Sequence, residues 1–236
     1  ISKVYWSKMI IFISPSKSIM KQSPPKGLKA TEPLFPEKTN KLVDKLQTLK
    51  PKQIQKLLGI SAELAELNYS RFQSWDKANK RPALWMYSGD VYNGIDAYSL
   101  TAKNIAYAQE HLRIISGLYG LVRPLDAIQP YRLEMKTDTR KLIGSDLYVY
   151  WKDEIATKLQ KYNDTHVLLC ASKEYSSTIM ANLPNDTTAI VPRFMQETDD
   201  GLKEKGLFAK YGRGLLARYA IDNEICDVND LKNFNR

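Results

Sequence analysis

The apolar pattern of the chain opens with a continuous run, Met9 through Ile13, closed by Ser14 and Pro15. A short β-branched and aromatic run ended by proline predicts a buried strand over 9–14. Residues 15–36 hold Pro15, Pro24, Pro25, Pro33 and Pro36 with no apolar period, which predicts a long loop. Over 36–49, Leu42, Val43, Leu46 and Leu49 fall on one helical face with lysines opposite. Pro51 suits the first turn of a second helix, which carries Ile54, Leu57 and Leu58 and stops at Gly59. Ser61 is placed to cap a third, carrying Leu64, Leu67 and Phe72.

Further along, 83–88 (ALWMYS) predicts a strand and 102–112 a helix. Segment 112–135 is broken by Gly117, Gly120, Pro124 and Pro130 into runs too short for one regular element. A helix is predicted over 146–162 with Ser145 as its cap, and strands over 166–172 and 188–196. Asp199, Asp200 and Gly201 read as a hairpin turn leading into a strand near 205–210, and the last helix spans about 214–225. Strands and helices interleave without a repeat, so the expected fold is a single α+β or mixed α/β domain over 9–236. Residues 1–8 are expected to form an extension outside it.

Composition changes this picture little. The 236 residues are 43% hydrophobic and 26% charged, ordinary values for a globular chain. Cys170 and Cys226 lie in apolar surroundings and read as small buried hydrophobes, as suits a reducing, cytoplasmic setting. No apolar run is long enough for a membrane span, so no membrane partner is expected. Charge adds more: Lys plus Arg exceed Asp plus Glu by 35 to 26, a net charge of +9. Such an excess points to an anionic partner, nucleic acid or a nucleotide, or to a merely lysine-rich surface.

Two stretches are candidate sites. At 50–75, two short helices joined across Gly59, Ile60 and Ser61 resemble a helix-hairpin-helix element, in which unpaired backbone amides at a helix start face a DNA phosphate. Lys52, Lys56 and Arg71 add charge. Ser61 stands where a second glycine is usual, and Glu63 and Glu66 repel phosphate, so an ordinary helical hairpin packed on the core is the alternative. The second stretch, 112–135, presents Arg113, Tyr119, Arg123, Asp126, Tyr131, Arg132 and Glu134 on irregular backbone, as binding loops do. Arginine's planar fork matches phosphate or carboxylate. Arg132 and Glu134, two apart, share one side of an extended chain; a structural ion pair is the alternative.

Polar loops that follow apolar strands commonly share one crevice, which adds Ser14, Lys17, Ser172 and Glu174. Lys210, Arg213 and Arg218 precede or line the last helix, where Gly212 and Gly214 would let its N-terminus approach an anion. No P-loop, GxGxxG, HxxxH, CxxC or nucleophile-elbow motif is present. His111 and His166 read as structural, and neither a metal nor a cofactor is expected.

Five segments together resemble the YaaA family of bacterial peroxide-stress proteins. They are ISPSKSIM at 13–20, YSGDVYNG at 87–94, HLRIISGLYGLVRPLDAIQPYRLEM at 111–135, LCASKEY at 169–175 and FAKYGRGLLARYAIDN at 208–223. The resemblance implies a compact mixed α/β fold with a positively charged cleft and a helix-hairpin-helix element on 50–75. It further implies binding of double-stranded or structured DNA and a role in limiting iron-dependent oxidative damage. It gives residues 1–8 no counterpart, and implies a Gly-Tyr- and Phe-containing continuation past 231–236.

The leading expectation is therefore a DNA-binding stress protein. Its contacts to the DNA would come from Lys52, Lys56, Gly59, Ile60, Ser61 and Arg71. Ser14, Lys17, Arg113, Arg123, Tyr131, Arg132, Lys210, Arg213 and Arg218 would line the cleft. The alternative is an enzyme acting on a phosphorylated or nucleotide-like small molecule, with Glu134, Glu174 or Ser172 as catalytic groups. An iron-sequestering protein is disfavoured, because no ferritin-like carboxylate spacing occurs.

Overall fold

A computed structural model describes residues 9–75, 80–162 and 166–235. The expected N-terminal extension, 1–8, lies outside the described residues. The fold is mixed α/β. Its central sheet uses β1 (Ile10–Ile13), β2 (Leu112–Ser116), β3 (Gly120–Val122), β4 (His166–Cys170) and β5 (Thr188–Ile190), in the order β3-β2-β1-β4-β5. β1 runs parallel to both neighbours, with Phe12 opposite Arg113 on one side and Leu169 on the other. β5 is parallel to β4, and β3 is antiparallel to β2. β1 and β2 are buried throughout, the pattern of strands covered on both faces.

Helices Ala102–His111, Leu147–Tyr162 and Gly206–Asp222 pack on this sheet. Trp151, fully buried, donates its indole N–H to the Gly117 carbonyl at 2.9 Å and so ties the second of them to the end of β2. Helices Pro36–Gln47, Pro51–Leu58 and Ala62–Gln73 form the predicted helical stretch, joined to the same core by Leu42, Leu46, Ile54, Ala65 and Phe72. Gly59 closes the middle helix in the left-handed conformation, φ 60°, and the Ser61 hydroxyl accepts from Leu64 N at 3.3 Å.

Four local expectations give way. Residues 83–88 form a helical turn, Ala83–Met86, and a two-residue strand, Tyr87–Ser88, paired with Ser18–Ile19. An unbroken apolar run has no period to separate these alternatives. Asp146, not Ser145, caps the helix that follows, accepting from Val149 N at 2.9 Å. The strand expected over 188–196 ends at Ile190. The 199–201 turn does join two strands, Gln196–Thr198 and Gly201–Lys203, but 205–210 is helical.

That last helix starts at Gly206, eight residues earlier than the pattern suggests. Its glycines depress helix propensity and hide the period, and close packing is what retains them. A Cβ on Gly214 would lie 2.2 Å from the Val91 carbonyl oxygen, and one on Gly94 would lie 2.6 Å from that of Tyr211. The helix therefore crosses helix Asp90–Ile95 backbone to backbone. Gly212 meets the Phe194 ring in the same way. Gly214 serves a helix crossing and Gly212 a ring contact, both in mid-helix and neither at the N-terminus of an anion site.

Candidate functional site

In a sheet of this order the chain goes from β1 to β2 on one side and from β4 to β5 on the other, so the carboxyl ends of β1 and β4 form a switch point, where open α/β sheets leave a crevice. A pocket of about 430 Å³ occupies that position. The loop after β1 supplies Ser14, Ser16 and Lys17, and the turn after β4 supplies Ser172, the N-cap of helix Lys173–Met180, whose first turn carries Glu174. The two are stitched together: Ser172 N donates to the Ser14 hydroxyl at 2.8 Å, and the two hydroxyls stand 3.4 Å apart.

The third wall comes from 131–136. Tyr131, Leu133 and Met135 are buried while Arg132 and Glu134 alternate with them, so an extended backbone turns the charged pair together into the pocket. Glu134, with a side chain 13% exposed, gathers three cations: Lys17 at 2.9 Å, Arg132 at 3.4 Å and Lys136 at 3.8 Å. Lys136 also faces Glu174 at 3.7 Å. Helix Gly206–Asp222 closes the pocket with Lys210 and Arg213, and helix Asp90–Ile95 with Asp90 and Tyr92. Arg213 is held by Glu204 at 2.9 Å. The lining is thus of mixed sign, five cations facing three carboxylates.

Behind the charges lies a floor of tyrosines. Tyr131 OH stands 2.9 Å from Tyr87 OH and 2.5 Å from the Ser116 hydroxyl, and Tyr92 OH donates to the Ser14 carbonyl at 3.0 Å. Burial pushes the Tyr131 phenol up to about 12, against the opposing hydrogen bonds from Ser116 and Tyr87. Burial, then the neighbouring Tyr131 and Glu174, raises Tyr175 as well. These phenols stay protonated at neutral pH and act as fixed hydrogen-bonding walls. Cys170, buried at the back of the pocket, has its thiol pushed up to about 12 by burial, which leaves it a weak nucleophile.

Of the residues expected in the cleft, Ser14, Lys17, Tyr131, Arg132, Lys210 and Arg213 line this pocket, together with Ser172, Glu134 and Glu174. Three arginines do not. Arg113 is buried, donating to the carbonyls of Gln109, Glu110 and Leu112 and to Tyr162 OH. Arg123 pairs with the fully buried Asp126 at 2.8 Å and donates to the Glu32 carbonyl, pinning the proline-rich loop. Arg218 pairs with Asp222 and donates to the carbonyls of Ile95 and Asp96, capping helix Asp90–Ile95. A guanidinium that finds several carbonyl acceptors serves structure.

Asp90 and Lys136 also line the pocket without having been singled out from the sequence. The signals were present: Asp90 lies in the YSGDVYNG block, and Lys136 continues the alternation of Arg132 and Glu134. Among the described residues no group of three or more His, Cys, Asp or Glu could hold a metal ion, and no helix is long and apolar enough to cross a membrane.

At 50–75, Lys52 and Lys56 are exposed and Arg71 is half-buried. The amides of Gly59 and Ile60 both turn back to the Gln55 carbonyl, and Ile60 packs on the core. Ser61, Ala62 and Glu63 form an exposed helix start.

Fold and pocket together define a mixed α/β protein with a charged, tyrosine-floored crevice at the carboxyl ends of its parallel strands. The family model described as peroxide stress protein YaaA matches residues 9–236, and the chain belongs to that family. It is similar to a UPF0246 protein of Saccharophagus degradans, 42% identical over 96% of this chain and 91% of the relative. UPF0246 proteins of Polynucleobacter asymbioticus and Burkholderia mallei are each 40% identical over 96% of this chain, covering 91% and 90% of those relatives.

Proposed function

We propose that this chain acts in the peroxide-stress response by binding the backbone of duplex or structured DNA with little base specificity, so helping to limit iron-dependent damage to that DNA. The observation that carries the reading is the exposed, capped turn between helices Pro51–Leu58 and Ala62–Gln73, which on this reading serves as the hairpin of a helix-hairpin-helix element. A helix start leaves its first amides without intrahelical acceptors. Ser61 takes that of Leu64, and those of Ala62 and Glu63 find no acceptor among the described residues, which suits a phosphate at an exposed surface. Exposed Lys52 and Lys56 on the preceding helix, and the net charge of +9, support the same reading.

Glu63 and Glu66 oppose it, which makes them sensitive reporters. Backbone binding gives an affinity that falls with salt by close to one log–log unit per phosphate contacted. Lys52→Ala and Lys56→Ala should each reduce the slope by about one, uniformly across sequences, and Glu63→Gln should tighten binding. Fluorescence-anisotropy titrations of a labelled duplex across a salt series measure all three. An affinity indifferent to salt, or unmoved by the lysine variants, would sink the proposal.

A further inference from the structure

The pocket at the sheet's switch point has features that a DNA-backbone surface does not need. Phosphodiester contact calls for cations along an exposed track, whereas this site is concave, floored by buried tyrosines and within the size range of small-molecule pockets. It also lies where open α/β sheets take their ligands.

Its charges are arranged, not simply accumulated. Glu134 is shared by Lys17, Arg132 and Lys136, Glu174 takes Lys136, and Glu204 holds Arg213 from outside. Among the described residues Lys210 alone of the lining cations has no ion-pair partner. The Arg132 Nε is buried in the wall with no hydrogen-bond acceptor among the described residues. Buried donors are ordinarily satisfied, by protein, by water or by a ligand. A spare cation, an orphaned guanidinium donor and hydroxyls fixed at two strand ends together fit one kind of guest, a compact anion with several acceptor oxygens.

We propose that this pocket is a binding site for a phosphorylated small molecule of nucleotide size. Its phosphate, carrying about −1.5 to −2 charges at pH 7, is met by Lys210 with Lys17 and the Ser14–Ser172 pair, while the body of the ligand lies on Tyr131 and Tyr175. Glu134 is a positioning residue: a carboxylate shared by three cations holds them in the wall.

The test is calorimetric titration of the full chain with adenosine 5′-monophosphate, ribose 5-phosphate and inorganic phosphate, with adenosine as the uncharged control. Saturable binding of a phosphorylated probe is expected, and Lys210→Ala, at an exposed position, should weaken it roughly tenfold, the loss of one charge-assisted contact. Glu134→Gln should weaken it too, although it removes a repelling charge, and Glu134→Asp should restore part of the loss. Melting temperatures of the variants separate these effects from misfolding.

If no phosphorylated probe saturates at millimolar concentration, or adenosine binds as well as its phosphate, the site assignment is overturned. If Glu134→Gln tightens binding, the positioning role is overturned. If duplex DNA displaces a bound probe, the pocket belongs to the DNA surface and the proposal of a separate site fails.

Discussion

Gly214→Ala sets two well-measured effects against each other. Alanine is the better helix former by about 1 kcal/mol in a helix interior, so propensity alone predicts a more stable protein. The crossing of helices Gly206–Asp222 and Asp90–Ile95 predicts the reverse. The added methyl carbon would sit 2.2 Å from the Val91 carbonyl oxygen, 2.9 Å from its carbon and 3.0 Å from Gly94 Cα. Unstrained contacts between carbons lie near 3.5 Å or beyond, so the helices must part by on the order of 1 Å. All three neighbours are backbone, and no rotamer change relieves them. Overpacking of this kind costs typically 1–3 kcal/mol, and rigid neighbours place it at the upper end, about 3 kcal/mol. Subtracting the propensity gain leaves a net loss of about 2 kcal/mol, or a melting temperature lower by roughly 4–8 °C for a chain of this size. Differential scanning calorimetry measures it. Gly206→Ala, with nothing within 4 Å of the new carbon, is the control and should be neutral or slightly stabilising. A Gly214→Ala protein that melts at or above the wild type would refute the close crossing. The same displacement would move Lys210 and Arg213 away from Asp90 and Tyr92, so pocket binding should fall with stability.

Asp126→Ala strands Arg123 and Thr31, both of which Asp126 binds from full burial, and should cost about 3 kcal/mol; urea unfolding would show a lower midpoint at unchanged slope. Cys226 should react before Cys170 in a short iodoacetamide or peroxide pulse read by mass spectrometry, because burial holds the Cys170 thiol near 12; first modification at Cys170 would contradict the packing. The buried phenols give an alkaline signature. Tyr131 is raised to about 12 from an ordinary value near 10, so above pH 10 the unfolded chain releases a proton that the folded one keeps. Its contribution is intact below pH 10 and is lost between about 10 and 12. Denaturant midpoints across that range should fall; midpoints that rise or stay level would show that the phenol is not buried as described.

How far the sequence reveals this molecule depends on the physics of each segment. The runs at 10–13 and 166–170 are readable because strands buried on both faces must be continuously apolar. The helices over 36–73 are readable because proline, glycine and serine mark their ends by backbone chemistry. The last helix is not readable at its start, since Gly206, Gly212 and Gly214 answer to neighbours that only the tertiary structure supplies. Of the residues singled out for the site, Ser14, Lys17, Ser172 and Glu174 at the strand ends, and Arg132 with Glu134 by two-residue spacing, line one pocket. Arginine as a type carries no such information: Arg113, Arg123 and Arg218 have the same chemistry as Arg132, and only the position of nearby carbonyls separates a structural from a pocket-lining guanidinium.

The sheet's order also governs how the molecule can be made. β1, residues 10–13, ends up between strands that lie about 100 and about 150 residues further along, and at 5–20 residues per second of synthesis its first partner emerges only after roughly 5–20 seconds. For that interval an Ile-Ile-Phe-Ile segment with both edges unpaired trails from the ribosome, the kind of segment that pairs with other chains if left uncovered. The centre of the sheet is thus translated first and protected last, and the nascent chain is most exposed to aggregation in the segment that later carries the loop of Ser14 and Lys17.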